Sequence, residues 1–234
     1  MTTDQTTERF RANYRANISR LYNGYLHMGF VALVGVTFIY HQFSRVESFN
    51  WQHGLGLIGT LMLWNFIEYF VHIQLGHKKK KLSAMFYKRH TGDHHTFFTE
   101  QLLVPQSHKD WRVTLFPAWL VLVTGLISVG IGHIIALFSA PEWGYVFSAG
   151  LMMGYLAYEF FHFCDHLPDN HLLVQLPWIG HMRQLHRLHH RRELMQTKNF
   201  NLTFPLADWV MGTFYWESPK TYTKEAMQNK YSAK

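Results

Sequence analysis

The chain has 234 residues, of which 48% are hydrophobic, 17% aromatic and only 16% charged, against about 25% charged in an ordinary soluble domain. This composition excludes a disordered or coiled-coil chain. The net charge of +7 suits a nucleic-acid partner only where a charged face or a reading module exists, and the sequence offers neither. A single cysteine, Cys164, excludes an internal disulfide framework, a four-cysteine iron–sulfur cluster and a zinc ribbon. Seventeen histidines make nitrogen the abundant donor for any metal.

Residues 1–20 are polar and carry no cleavable leader pattern. Between Arg20 and Arg45 lie 24 residues without a formal charge, about 36 Å of helix against a hydrocarbon core of about 30 Å. A second uncharged run of 20 lies between Glu47 and Glu68, rich in small residues that let membrane helices approach. A third, between Arg112 and Glu142, has 29 residues and predicts one helix, tilted or locally broken near Gly125 to Gly132. The fourth runs from Trp143 to Tyr158 into EFFHFCDH. The expected architecture is an all-α integral membrane protein with about four transmembrane helices and a cytosolic helical cap. It forms a single unit over 1–234, with a polar tail at 217–234. The segment from Gly76 to Arg112 holds eight Lys or Arg against three acids, so the positive-inside rule puts it and both termini in the cytoplasm. Lys78 to Lys81 read as a topogenic anchor.

Ten histidines fall in four blocks: His72 and His77; His90, His94 and His95; His162 and His166; His186, His189 and His190. His90/His94, His162/His166 and His186/His190 are each four apart, one helical turn, so both rings of a pair reach one metal or two neighbouring metals. His72 and His77, five apart, need a helix end or a shared dimetal site. The charge-derived topology brings all four blocks to one membrane face. Ten imidazoles exceed a tetrahedral zinc site and suit two metals with five or six ligands each, some of them exchangeable oxygen. Glu159, Asp165, Asp93 and Glu193 are candidate outer partners of the ligands, and Glu68 is equally suited to interfacial solvation. Cys164 points away from the His162 and His166 face and reads as packing. His27, His41, His53, His108, His133, His171 and His181 stand alone as interfacial, loop or packing residues.

The order His-x4-His, His-x3-His-His, His-x3-His, His-x2-His-His resembles the fatty acid hydroxylase and sterol desaturase superfamily of membrane enzymes. So does Asn199 to Tyr215, NFNLTFPLADWVMGTFY, although Asn201 replaces an expected glycine and offers a polar group near the metals. The resemblance covers about residues 20 to 216. It implies a four-helix stem capped by cytosolic helices, two ferrous ions as cofactor, and all ten block histidines as candidate ligands, with zinc competing for them on purification. It further implies dioxygen and two external electrons as co-substrates.

The sequence shows no flavin or nucleotide fingerprint, so electrons are expected from a separate ferredoxin or cytochrome. Arg183, Arg187, Arg191 and Arg192 are a candidate docking face for such an acidic donor. The expected function is hydroxylation of an unactivated carbon of a lipid drawn from the bilayer, a fatty acyl or acyl-derived lipid first. The alternatives are a lipid or sterol desaturase and, more distantly, a histidine-rich metal transporter or binding protein. A transporter places its ligands near mid-helix, whereas these blocks lie at helix ends.

Overall fold

The structure, a computed structural model, describes residues 3–81 and 83–219. Residues 220–234 of the expected tail lie outside the described residues. These are all-helical, in chain order α1 (Thr3–Ala16), α2 (Gly24–Phe43), α3 (Trp51–Val71), α4 (Ala84–Tyr87), α5 (His95–Phe97), α6 (Trp111–Thr114), α7 (Leu120–Ala136), α8 (Pro141–Asp165), α9 (Pro177–His189) and α10 (Leu206–Met211). Two π-helical segments, His72–His77 and Lys88–His94, and a 3₁₀ turn at Leu172–Gln175 complete the set.

Three of the long helices start at a sequence signal, α2 and α3 at an asparagine cap and α8 at a proline. The Asn23 side chain accepts the amides of Tyr25 and Leu26, and Asn50 forms a capping box with His53. Pro141 opens α8 in the first turn, where its missing N–H costs nothing.

The centre of the bundle is α8, against which α2, α3, α7 and α9 all pack. Val146, Ala149, Met152 and Tyr155 of α8 are buried, with Met152 and Tyr155 joining Val31 of α2 and Val121 of α7 in one apolar cluster. The outward faces of α2, α3 and α7 are apolar, with Leu26, Leu33, Leu55, Ile58, Leu126 and Ile134 each more than half exposed. Such a belt is foreign to a soluble surface. Two helices, Gly24–Phe43 and Trp51–His77, are long and apolar enough to cross a membrane, and α7 is apolar but shorter. Together they point to membrane association. Because α8 faces its neighbours and carries Glu159, it lacks the apolar composition of a lipid-facing span.

The third uncharged run holds one helix, as expected, unbroken at Gly125 and Gly132; its surplus residues flank α7 on both sides. Gly132 instead lets α7 press on the backbone of Gly144, where a Cβ would collide. The polar N-terminal segment is a docked helix. Arg11, 2% exposed, donates its Nε to the Phe97 carbonyl (2.8 Å) and Nη2 to that of Leu102 (2.6 Å), while Arg15 forks onto Asp110 with two 2.9 Å bonds.

Candidate dimetal centre

All ten block histidines converge at the end of the bundle where α3 and α8 finish. They sort into two groups. His72, His77, His90, His95 and His189 hold their ring nitrogens within 4.8 Å of one another, and so do His94, His166, His186 and His190. His162 adjoins the second group, its Nε2 lying 3.2 Å from that of His94.

The sorting follows helix type. His162 and His166, at the end of α8, and His186 and His190, at the end of α9, share a centre as i, i+4 pairs should. His90 and His94 do not. They lie in a π segment, where residues five apart align, so His90 pairs with His95 (3.1 Å) and His72 with His77 (3.2 Å). His94 turns to the other centre, as does His190 relative to its neighbour His189. The π turn at Lys88–His94 thus splits His94 and His95 between two sites, and the α-helical end of α9 splits His189 and His190.

The arrangement fits cations. Within the first group Nε2 atoms approach at 2.7 Å (His72 and His90), 3.1 Å (His77 and His90) and 3.0 Å (His77 and His189). Within the second they approach at 3.1 Å (His94 and His190), 3.0 Å (His186 and His190) and 3.1 Å (His166 and His186). Adjacent ligands at about 2.1 Å from one ion are separated by about 3 Å at a right angle, the same spacing.

The opposite ring nitrogens fix the tautomer. Nδ1 of His72 meets the Phe200 carbonyl (2.6 Å), that of His94 meets Val113 (3.1 Å), His166 meets Leu103 (2.8 Å), His189 meets Lys198 (2.8 Å) and His190 meets Phe98 (3.1 Å). A carbonyl only accepts, so each Nδ1 carries the proton and each Nε2 presents a lone pair inward. Burial keeps the rings neutral. Desolvation draws His94 down to about 3 and His90, His95, His186, His189 and His190 well below the usual histidine range. Neutral imidazole is the form a metal requires.

None of Glu159, Asp165 and Asp93 makes a hydrogen bond to a block histidine among the described residues. Glu159 accepts the Tyr155 hydroxyl (2.9 Å), and neither oxygen of buried Asp165 has a hydrogen-bond partner among the described residues. Five of the ten candidate ligands are oriented instead by backbone carbonyls, which the sequence does not advertise.

Asn201 belongs to a strap over residues 199–213. Its Oδ1 accepts the Asp208 amide (3.0 Å) and its Nδ2 donates to the Asn65 carbonyl (2.9 Å), away from the metal-facing nitrogens. Asp208 accepts the amides of Phe200 (3.0 Å) and Asn201 (2.8 Å) and the Thr213 hydroxyl (2.6 Å). Glu68, 3% exposed, is not solvated; it binds the amides of Leu202 and Thr203 and the Thr203 hydroxyl. Asn199, at φ 56°, and Gly212, at φ 70°, make the left-handed turns that bound the strap. Its product is the Phe200 carbonyl laid against His72.

Cys164 is buried with Leu167 and Ile179, as packing requires. None of the seven isolated histidines joins either group. The four arginines do not form one open basic face. Arg183, 5% exposed, is spent on the Leu167 carbonyl and Asp169, Arg187 pairs with Asp169, and Arg191 pairs with Glu100 and Glu217. Arg192 alone of the four is exposed.

A cavity of about 340 Å³ opens beside the centres. Its inner end is lined by His72, His90, His94 and His162, two from each centre, and it runs between α3 and α7 to Ile131 and Leu151. From His162 to Leu151 along α8 is about 16 Å.

Residues 57–213, spanning all four histidine blocks, match the sequence profile of the family described as Fatty acid hydroxylase. The chain belongs to the fatty acid hydroxylase family. Among curated relatives of these hydroxylases, it is 27% identical over 156 residues to a dihydroceramide fatty acyl 2-hydroxylase of Arabidopsis thaliana, covering 65% of this chain and 57% of that protein. The chain thus spans little more than half the length of that relative. No solved structure matches it significantly.

Proposed function

We propose that this chain hydroxylates an unactivated carbon of a fatty acyl or acyl-derived lipid, using dioxygen and two electrons from a separate ferredoxin or cytochrome. The observation that carries the reading is the cavity, apolar along α3, α7 and α8 and ending on histidines of both centres. An acyl chain fits such a channel, and its end at the histidines is where oxidation would occur. The family supports lipid hydroxylation in general. The 2-hydroxylase relative favours a carbon close to the lipid head.

The ten block histidines are proposed to hold two ferrous ions, His72, His77, His90, His95 and His189 one of them and His94, His162, His166, His186 and His190 the other. Bound there, two irons supply reductive activation of dioxygen at positions the protein leaves open. The histidines hold the ions; the carbonyls of Phe200, Val113, Leu103, Lys198 and Phe98 keep each donor aimed inward. Tyr155, Tyr158 and Leu115 line the channel and keep bulk water from the oxidising end.

In the membrane, α2, α3, α7 and α8 are proposed as four spans, with both termini and the histidine end on the cytoplasmic side. The gap between α3 and α7 is then the lateral entry for lipid.

The test is lipid mass spectrometry on membranes from cells with and without the chain, supplied with isotopically labelled dioxygen. A lipid gaining one labelled oxygen is the expected result. A lipid losing two hydrogens without label would replace hydroxylation by desaturation, and no lipid change would overturn the proposal.

A further inference from the structure

The cavity wall holds one arginine, Arg89, and its one lining carboxylate, Glu68, is taken up by the amides of Leu202 and Thr203 and the Thr203 hydroxyl rather than by that arginine. Arg89 stands in the π segment beside His90 and lines the cavity. Its Nη2 donates to the carbonyls of Arg112 (3.0 Å) and Leu115 (3.2 Å), and it makes no ion pair among the described residues. The positive charge of Arg112 acts against it, and Arg112 itself buries Nη1 without a partner. Asp93, four residues on, and Glu159 act on Arg89 only through space, outside ion-pair distance.

Apart from Arg112, the other half-buried or buried arginines each meet a carboxylate. Arg11 meets Glu8, Arg15 meets Asp110, Arg183 and Arg187 meet Asp169, and Arg191 meets Glu100 and Glu217. A guanidinium withdrawn from water without a counter-ion is costly unless a ligand supplies one. Next to Arg89 in the cavity wall, Thr114 is 5% exposed and its hydroxyl has no hydrogen-bond partner among the described residues.

Resting on the reading of the cavity as a lipid channel, we infer that its occupant is an amphiphile with an anionic oxygen head, carboxylate or phosphate, held by Arg89 and Thr114. The chain of that amphiphile runs from the histidines up between α3 and α7. Arg112 adds a second positive charge to the same end. Arg89 and the histidines lie at one end of the channel, so the carbons nearest the head stand at the metals and the far methyl end cannot reach them. Arg89 is thereby a specificity-determining residue.

Trp64 lines the cavity and supplies a readout independent of turnover. The metal-loaded protein, without reductant, is titrated with a chain-brominated fatty acid, its methyl ester and a chain-brominated phosphatidic acid, following tryptophan quenching at a pH where the acid is ionised. Subtracting the same titration of a Trp64→Phe variant isolates the cavity signal. At least one anion should quench at a concentration about tenfold lower than the ester. Arg89→Gln should remove that advantage and leave the ester unchanged, with Thr114→Val removing part of it. Preference for the acid alone assigns a carboxylate head, and preference for the phosphatidic acid alone assigns a phosphate.

Equal binding of acid, phosphatidic acid and ester by the unaltered protein overturns the inference, and this comparison needs no variant that might misfold. Absence of quenching by all three overturns both the inference and the channel reading. Anion preference without labelled-oxygen insertion overturns the proposed function alone.

Discussion

One carboxylate in the strap carries several loads at once. Asp208 gathers two amides and a hydroxyl, and through Phe200 it sets the proton position of His72. Asp208→Ala leaves buried donors unmatched and should cost about 2–4 kcal/mol in chemical denaturation. It should also weaken the metal of the first centre about 10–100-fold in a chelator competition, the usual effect of losing a ligand's orienting partner. His77→Ala removes a donor of that centre only, and elemental analysis should find bound metal falling from two ions to about one per chain. Metal-free protein gives a third expectation. The folded chain resists protonating His94 until about pH 3, whereas the unfolded chain takes that proton near pH 6.5. Between these values the unfolded state binds more protons. Stability is therefore full above about pH 6.5 and falls on acidification by up to about 1.4 kcal/mol per pH unit for this group, as denaturation midpoints across a pH series will report.

At the scale of elements, the π segments decide which histidine serves which centre. Deleting Gln74 from His72–His77 would return those two histidines to a four-residue spacing and displace one of them. The first centre should then lose its metal while helicity by circular dichroism stays nearly unchanged. The long helices were legible in the sequence because uncharged runs mark them. The metal blocks were legible because ten histidines recur at helical spacings. The pairing of His90 with His95 rather than His94 was not, since a π turn leaves no compositional trace. Nor was the docking of α1, where Arg11 and Arg15 look like solvated charges until Phe97, Leu102 and Asp110 are folded against them. Arg11→Ala should lower stability by about 2–4 kcal/mol, with a matching loss in thermal midpoint.

For the whole molecule, the depth of the cavity would set the length of acyl chain that the proposed substrate can have. Ile131 lines its far end, whereas Ile134, one turn on, is 58% exposed outside it. Ile131→Trp should shift product profiles toward shorter acyl chains by mass spectrometry, and Ile134→Trp should not. The apolar runs forecast a membrane helix bundle, but no run reveals that α3 and α7 stand apart around α8, because that gap is a property of packing.

The strap has a consequence for biosynthesis. His72 is translated early, yet the carbonyl that aims it belongs to Phe200, and Lys198 does the same for His189. A nascent chain that has already placed α3 and α8 still lacks a finished first centre. Loading of the proposed metal centre is thus tied to the end of synthesis, and a chain stalled before residue 198 should hold a site that can be filled only in part.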